Sequence, residues 1–579
     1  VPRVPTIWLV NVSNICIMGS VFTRRAPMFF RTKKSGPRIY LQIAENRREA
    51  GKVKQRVVAT LGRLDQLRES GQLDSLLRSG ARFADAVLLL SAHHSGELPV
   101  VHTQRIGPGL IFERLWRETG CQAVIQELLR ERSFEFSVER AIFLTVLHRL
   151  MVSGSDRAAE KWQRGSAIAG TENLQLHQLY RAMGWLGEVL PDSQQAGATP
   201  FSPRCTKDLI EEGVFTRRRD LFASLDLVFF DTTSIYFEGE GGETLGQYGN
   251  TKDHRADRKQ LVVGAILDQD GRPVCCELWP GNTTDVKTLV PIADRLKKRF
   301  AIGEICLVAD RGMISQGTIK ELEAQGWQYI LGARMRRQKE VSEQVLSRGG
   351  RFRVVQAKGK RKKDPSPLQV KQVIMDDRRY IVCRNEDQAK KDAADRAAII
   401  SALKEKLKQG DKALVGNKGY RKYIQTQGER FILDEAKIKA EARFDGKWVL
   451  RTNTALDSAE VALKYKQLWR VEEIFRSAKS LLDTRPIFHK CDETIRGHVF
   501  CSFLALVLRK ALQDRLDETG EHLEWADVIQ DLDALEEVEV IHQNKRFLLR
   551  NETQGSCGKV FQSVGVKLPQ TVRQVDGSA

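Results

Sequence analysis

Asp231 closes one apolar run, Leu225–Phe230, and Asp310 closes another, Glu304–Ala309. A carboxylate at the end of a buried strand is costly unless solvated or paired. The carboxyl edge of an α/β sheet is also where sites form. A third carboxylate, Glu472, lies in DSAEVALKYKQLWRVEEIFRSAKSLLD, residues 457–483, which reads as one helix. Tyr465, Glu472 and Lys479 recur every seven residues, almost two turns, and so share a face with Trp469 and Arg476. Leu468, Phe475 and Leu482 form the neighbouring apolar stripe that packs on a sheet. Glu473 is rotated by about 100° from Glu472, which makes Glu472 the functional candidate. Two Asp and one Glu from three separate elements suit hard divalent cations. Mg²⁺ takes few protein carboxylates and keeps positions for water and phosphate oxygens. Two such ions, ~4 Å apart, activate a water or 3′ hydroxyl and stabilise the leaving oxygen. Mn²⁺ can substitute. Tyr465 and Lys479 then hold a nearby phosphate. Lys252 and His254 in GNTKDHRADRKQ either do the same or belong to an ordinary polar loop.

The elements that must position these groups follow from periodicity. Residues 38–62 alternate and turn near Gly51, as a hairpin does, and 65–90 read as helix. Residues 108–190 carry helical patterns with few strand signals, and 190–205 hold Pro, Gly and Ser like a linker. Beyond them come the strand ending at Asp231, a second at 233–238, and a hairpin turning at 268–271. A helix over 286–300, the strand ending at Asp310, a helix near 316–325 and a strand at 327–333 complete an α/β layer with a mixed sheet. Residues 334–450 read as a β-rich insertion with one helix at 390–409, and further helices follow at 457–483 and 493–516.

Composition bounds the partners. The chain has 579 residues with 93 Lys and Arg against 74 Asp and Glu, a net charge of +19. That length with 41% hydrophobic residues excludes disorder and disulfide-stapled mini-folds. Ten Cys with no C-x-x-C pair show no zinc signature and suit a reducing cytoplasm. No G-x-x-x-x-G-K-[ST] loop is present, which argues against an ATP-driven mechanism. The apolar segment 7–22 is too short to span a bilayer and is interrupted by Asn11, Ser13 and Asn14, so no membrane role is expected. The charge is uneven: residues 1–60 and residues 331–371 each carry a net +10. Basic regions on either side of a carboxylate core predict a DNA path, with the run Lys360, Arg361, Lys362 and Lys363 in contact with it.

Taken together the motifs resemble the DDE transposases of bacterial insertion sequences, in the group with a Tyr…Arg…Glu…Lys signature on the last catalytic helix. The resemblance runs through YLQIAENRREAGKVKQRVVATLGRLDQL, DTTSIYFEGEG, LGQYGNTKDHRADRKQLVVGAILDQDGRPVCCELWPGNTTD, VADRGM, YKQLWRVEEIFRSAKSLLDTRPIFH and HVFCSFLALVL. It implies a ribonuclease-H-like mixed-sheet core with a β-rich insertion, preceded by an α-helical N-terminal region. It also implies a metal triad at Asp231, Asp310 and Glu472, with Tyr465 and Lys479 as the signature Tyr and Lys. Two positions depart from the pattern. Leu468 stands where the signature Arg would fall, with Arg470 or Arg476 as substitutes, and Arg311, Gly312 and Met313 stand where a Tyr often follows the second Asp. A Trp in the insertion of related enzymes stacks on a flipped base. Trp448 is placed for that role, against the alternative of a packed strand Trp.

The expected organisation is an extension without a folded role (1–27), a basic N-terminal region with hairpin and helix (28–107) and a helical DNA-binding region (108–200). The first part of the core follows (201–333), then the insertion (334–450), the second part with the Glu helix (451–520) and a C-terminal region (521–579). The expected function is binding of terminal inverted repeats, metal-dependent nicking at element ends and transfer of the 3′ hydroxyl into target DNA. A homodimer would form the synaptic complex, associated with the nucleoid. The alternatives are a nuclease that cuts without joining and a non-catalytic DNA-binding derivative.

Overall fold

The computed structural model describes residues 28–49, 52–81, 100–199, 202–218, 227–300, 305–356, 367–408, 420–427, 430–480, 482, 484–542 and 545–575. The expected extension 1–27, the tip of the first hairpin and the Lys360–Lys363 run lie outside them. The chain divides into two compact units.

The first unit gathers Val1–His102, Val538–Leu549 and Gln570–Ala579. Strands β1 (Met28–Ser35), β2 (Arg38–Glu49) and β3 (Lys52–Arg63) form an antiparallel meander. It is strongly basic, with Lys33, Lys34, Lys54 and Arg56 exposed. Two short helices, Leu64–Glu69 and Gln72–Ala81, replace the single expected helix, because Gly71 turns the chain with φ +67°. Strand β4 (Val100–Arg105) belongs to a second, four-stranded sheet that ends the chain.

The second unit holds a nine-stranded sheet. Strand β5 (Leu227–Tyr236) pairs on one side with β6 (Gln260–Leu267), which pairs with β7 (Pro273–Pro280), all antiparallel. On its other side β5 runs parallel to β8 (Cys306–Ala309), and β8 parallel to β9 (Gln328–Gly332). Strands β10 (Arg353–Gln356), β11 (Leu368–Met375) and β12 (Arg378–Asn385) continue the same sheet, joined to β9 through β15 (Lys447–Thr452). Four strands of the expected β-rich block thus extend the central sheet. A small hairpin, β13 (Ile424–Gln427) with β14 (Arg430–Leu433), stands apart from it.

Alternation sorts the sheet into two faces. Leu227, Phe229, Leu261, Val263, Cys306 and Val308 face one core, and Val228, Phe230, Val262, Leu307 and Ala309 face the other. The second core is covered by the helices Leu289–Phe300 and Gln316–Ala324. The first is shared with the helical region 107–186 and the 27-residue helix Asp492–Glu518. That helix lies so close to Leu176–Leu186 that a Cβ at Gly497 would fall 2.0 Å from the Met183 carbonyl oxygen. No described helix is long and apolar enough to cross a membrane. Strands β16 (Glu536–His542), β17 (Lys545–Arg550) and β18 (Val572–Val575) pair in the four-stranded sheet with β4.

Segment 190–205 is not a loose linker. Ser202 and Cys205 are buried, and the segment leads into the helix Thr206–Arg218, whose Lys207, Asp208 and Glu211 are buried with Glu277, Arg295 and Arg299. Arg299 donates to Glu277 at 2.9 Å and Glu211 at 2.5 Å, and Lys207 and Arg295 pair with Asp208 at 2.9 and 3.1 Å. Three cations and three carboxylates cancel, which is what lets them lie out of water.

Candidate active site

Asp231 does not end a strand. Thr232, Thr233 and Ile235 carry β5 onward, and Asp231 pairs with Ala265 in its middle. It is β8 that stops beside it: Phe230 is opposite Ala309, the last β8 residue, so Asp231 and Asp310 sit one step on, side by side. By alternation from Phe229 and Val308, both project to the face that holds the first core. The helix Trp469–Ser480 packs on that same face, with Val471 and Phe475 in the core. Glu472, on its first turn, is exposed.

The aspartates are crowded. Burial first, and then the Asp310 and Asp285 charges, push the Asp231 carboxyl up to about 6, against the pull of Lys252 and of the Thr232 N–H. That N–H donates to Asp231 Oδ1 at 2.7 Å. Asp285 was not foreseen. Its Oδ1 accepts from Thr232 Oγ1 at 2.7 Å, and its Oδ2 lies 3.3 Å from Lys252 Nζ. A Cβ at Gly312 would stand 3.9 Å from an oxygen of both Asp285 and Asp310, so these carboxylates flank one backbone turn. The only signal in sequence was an acidic residue closing the segment PGNTTD.

Tyr465 donates its hydroxyl to Asp310 Oδ1 at 3.0 Å. Burial, then the Asp310 charge, hold the phenol far above its usual range, so it stays a donor. Gly332 makes room for it, since a Cβ there would lie 2.5 Å from Tyr465 Oη. Tyr465 and Glu472 do not share a helix, however. Residues 458–466 form one helix and 469–480 another, with 3₁₀-type bonds across Gln467 and Leu468. Leu468, at that break, is buried in the core, where an Arg could not be solvated. Arg470 does not stand in for it: its Nη1 donates to the Gln269 carbonyl at 2.7 Å in the β6–β7 turn.

Lys252 donates to the Thr232 carbonyl at 2.6 Å and Oγ1 at 3.0 Å, which places its charge beside the carboxylates. His254 is exposed in a left-handed conformation (φ +58°). Lys479 pairs with Asp253 at 2.8 Å, and Arg485 pairs with the same oxygen at 2.5 Å. Arg476 lies exposed one turn beyond Glu472. Trp448 is half-buried in β15 opposite Cys383 and packs against the core.

The donor set suits a hard cation: oxygen ligands only, partly buried, with a carboxyl whose raised pKa a cation would relieve. The ligand oxygens of Asp231, Asp310 and Glu472 do not all lie within 4.8 Å of one another. Among the described residues, the one set of three His, Cys, Asp or Glu side chains with all ligand atoms within 4.8 Å is Asp156, His489 and His498. There the Arg149 guanidinium already engages two of the three, 2.9 Å from His498 Nδ1 and 3.5 Å from Asp156.

Comparison with known families gives two matches. Residues 30–92 match the N-terminal domain of the IS1634 family transposases, and residues 223–508 match the transposase DDE domain. No curated protein matches the chain. The second match spans all three catalytic candidates, from β5 into the long helix.

Proposed function

Because the chain belongs to the insertion-sequence DDE transposases, we propose that it binds the terminal inverted repeats of its element, nicks DNA at their ends and transfers the freed 3′ hydroxyls into target DNA. The observation that carries this is that Asp231 and Asp310 each follow the Phe230–Ala309 pair of β5 and β8, on the sheet face where the Glu472 helix packs. The strand order β7-β6-β5-β8-β9, three antiparallel and then two parallel, supports a ribonuclease-H-like core.

Asp231, Asp310 and Glu472 would hold the divalent metal, Mg²⁺ by preference and two ions in all. Bound ions supply activation of the attacking water or 3′ hydroxyl and stabilisation of the leaving oxygen. Tyr465 fixes one oxygen of Asp310 and leaves Oδ2 for the ion. Lys252 offsets the carboxylate charge, and Lys479 and Arg476 hold backbone phosphate. The basic N-terminal sheet and the Lys360–Lys363 run add phosphate contacts, as does His254. Two ends must be brought together, which calls for a homodimer in the synaptic complex, at the nucleoid.

Incubation with Mg²⁺ and a duplex carrying the inverted repeat that flanks the gene tests this. The expected products are 3′-OH nicks at the repeat boundary and covalently joined strands. Nicks that never give joined product would favour the nuclease instead.

A further inference from the structure

Asp253 lies between Lys252 and His254. The loop crosses β5 and is pinned there: the Lys252 N–H donates to Ser234 Oγ at 2.8 Å, and Thr251 Oγ1 accepts from the Asp253 N–H at 3.1 Å and the Arg255 N–H at 3.4 Å. Neighbouring side chains consequently part. Lys252 reaches Thr232 and Asp285, while Asp253 reaches Lys479 and Arg485. The Asp253 side chain is only 5% exposed. Its Oδ1 takes both cations, and its buried Oδ2 has no hydrogen-bond partner among the described residues. Lys479 comes from the last turn of the Glu472 helix, and Arg485 from the segment after it. Two cations on separate segments repel, and the carboxylate they share offsets that repulsion. One carboxylate against two cations leaves a net +1, and Arg485, with five donors and 30% exposure, keeps some of them available.

We propose that Asp253 is a positioning residue for DNA-end binding, holding Lys479 and Arg485 side by side so that the pair grips one backbone phosphate next to the catalytic carboxylates. The proposal rests on the transposase function above. It makes one pinned loop responsible for two distances, with Lys252 serving the carboxylates and Asp253 the phosphate grip. A carboxylate that merely neutralised nearby cations would do the opposite: its removal would strengthen DNA binding.

The test is end binding by the full chain, measured with the inverted-repeat duplex across a salt series. Asp253→Asn is expected to weaken binding about tenfold and to flatten the salt slope by about one unit, the loss of one phosphate contact. Asp253→Glu restores part of the affinity. The pair Lys479→Gln and Arg485→Gln shows the same loss, and Asp253→Asn adds nothing further in that background. Equal or tighter binding by Asp253→Asn overturns the proposal, and so does an undiminished loss in the double-variant background. Wild-type binding by the Lys479→Gln, Arg485→Gln protein also overturns it, even if Asp253→Asn does not fold. A wild-type chain that neither binds nor cuts the duplex removes the transposase reading and the proposal with it. Wild-type cutting together with an unaffected Asp253→Asn removes the proposal alone.

Discussion

Asp231 should destabilise the metal-free fold. Its carboxyl has a pKa of about 6 in the folded chain, against 3.8 for the free side chain. The folded state therefore holds the proton more tightly than the unfolded one, and ionisation costs stability. The cost is absent below about pH 4, grows between pH 4 and 6, and is complete above. A shift of about two units at 1.36 kcal/mol each sets it near 3 kcal/mol, as an upper bound. Asp231→Asn keeps the shape and removes the charge. The unit that contains it has about 450 residues, and an unfolding entropy near 2.1 cal/mol/K per residue makes 1 kcal/mol worth about 1 °C. In EDTA, Asp231→Asn should melt about 3 °C above wild type at pH 8 and level with it at pH 4. Saturating Mg²⁺ should stabilise wild type and not the variant, reversing the order. Glu472→Gln, at an exposed position, should stay within about 0.5 kcal/mol of wild type in EDTA. A variant that melts at or below wild type at pH 8 without metal would refute the claim that burying the Asp231 charge, beside Asp310 and Asp285, costs stability.

Further outcomes follow from the same contacts. Tyr465→Phe removes a hydrogen bond to a charged partner, worth about 1.5–3 kcal/mol, and should slow end cleavage at least tenfold while the chain stays folded by circular dichroism. Gly332→Ala should reproduce that defect, because its methyl displaces the Tyr465 hydroxyl; unchanged cleavage would show that the hydroxyl is dispensable. Arg299→Met leaves three buried carboxylates facing two cations and should cost about 3–5 kcal/mol in urea unfolding, with little effect if the network is wetter than it stands.

The carboxylates were legible because apolar runs announce buried strands, and a charge at the end of one has few uses. The same rule misplaced the end of β5. Thr232 separates the runs read as two strands, one ending at Asp231 and one over 233–238, yet β5 runs through it once β6 lies alongside. The face shared by Tyr465, Glu472 and Lys479 was inferred from one unbroken helix, but the chain tightens at Gln467 and Leu468. Tyr465 reaches Asp310 from a separate helix. Asp285 and Asp253 were invisible because nothing local marks them: each acquires its role from partners brought by distant segments. The buried ions around Arg299 were hidden for a related reason. Lys207, Asp208 and Glu211 follow a segment of Pro, Gly and Ser and look solvated until Glu277, Arg295 and Arg299 are seen to balance them.

The central claim is that Asp231, Asp310 and Glu472 act together on DNA. The most direct measurement is Mg²⁺-dependent cutting of the inverted-repeat duplex by Asp231→Asn, Asp310→Asn, Glu472→Gln and Glu473→Gln. The account predicts that the first three bind the duplex and lose cutting by at least a thousandfold, and that Glu473→Gln cuts like wild type. Cutting by Asp231→Asn at the wild-type rate, or loss with Glu473→Gln in place of Glu472→Gln, would contradict it.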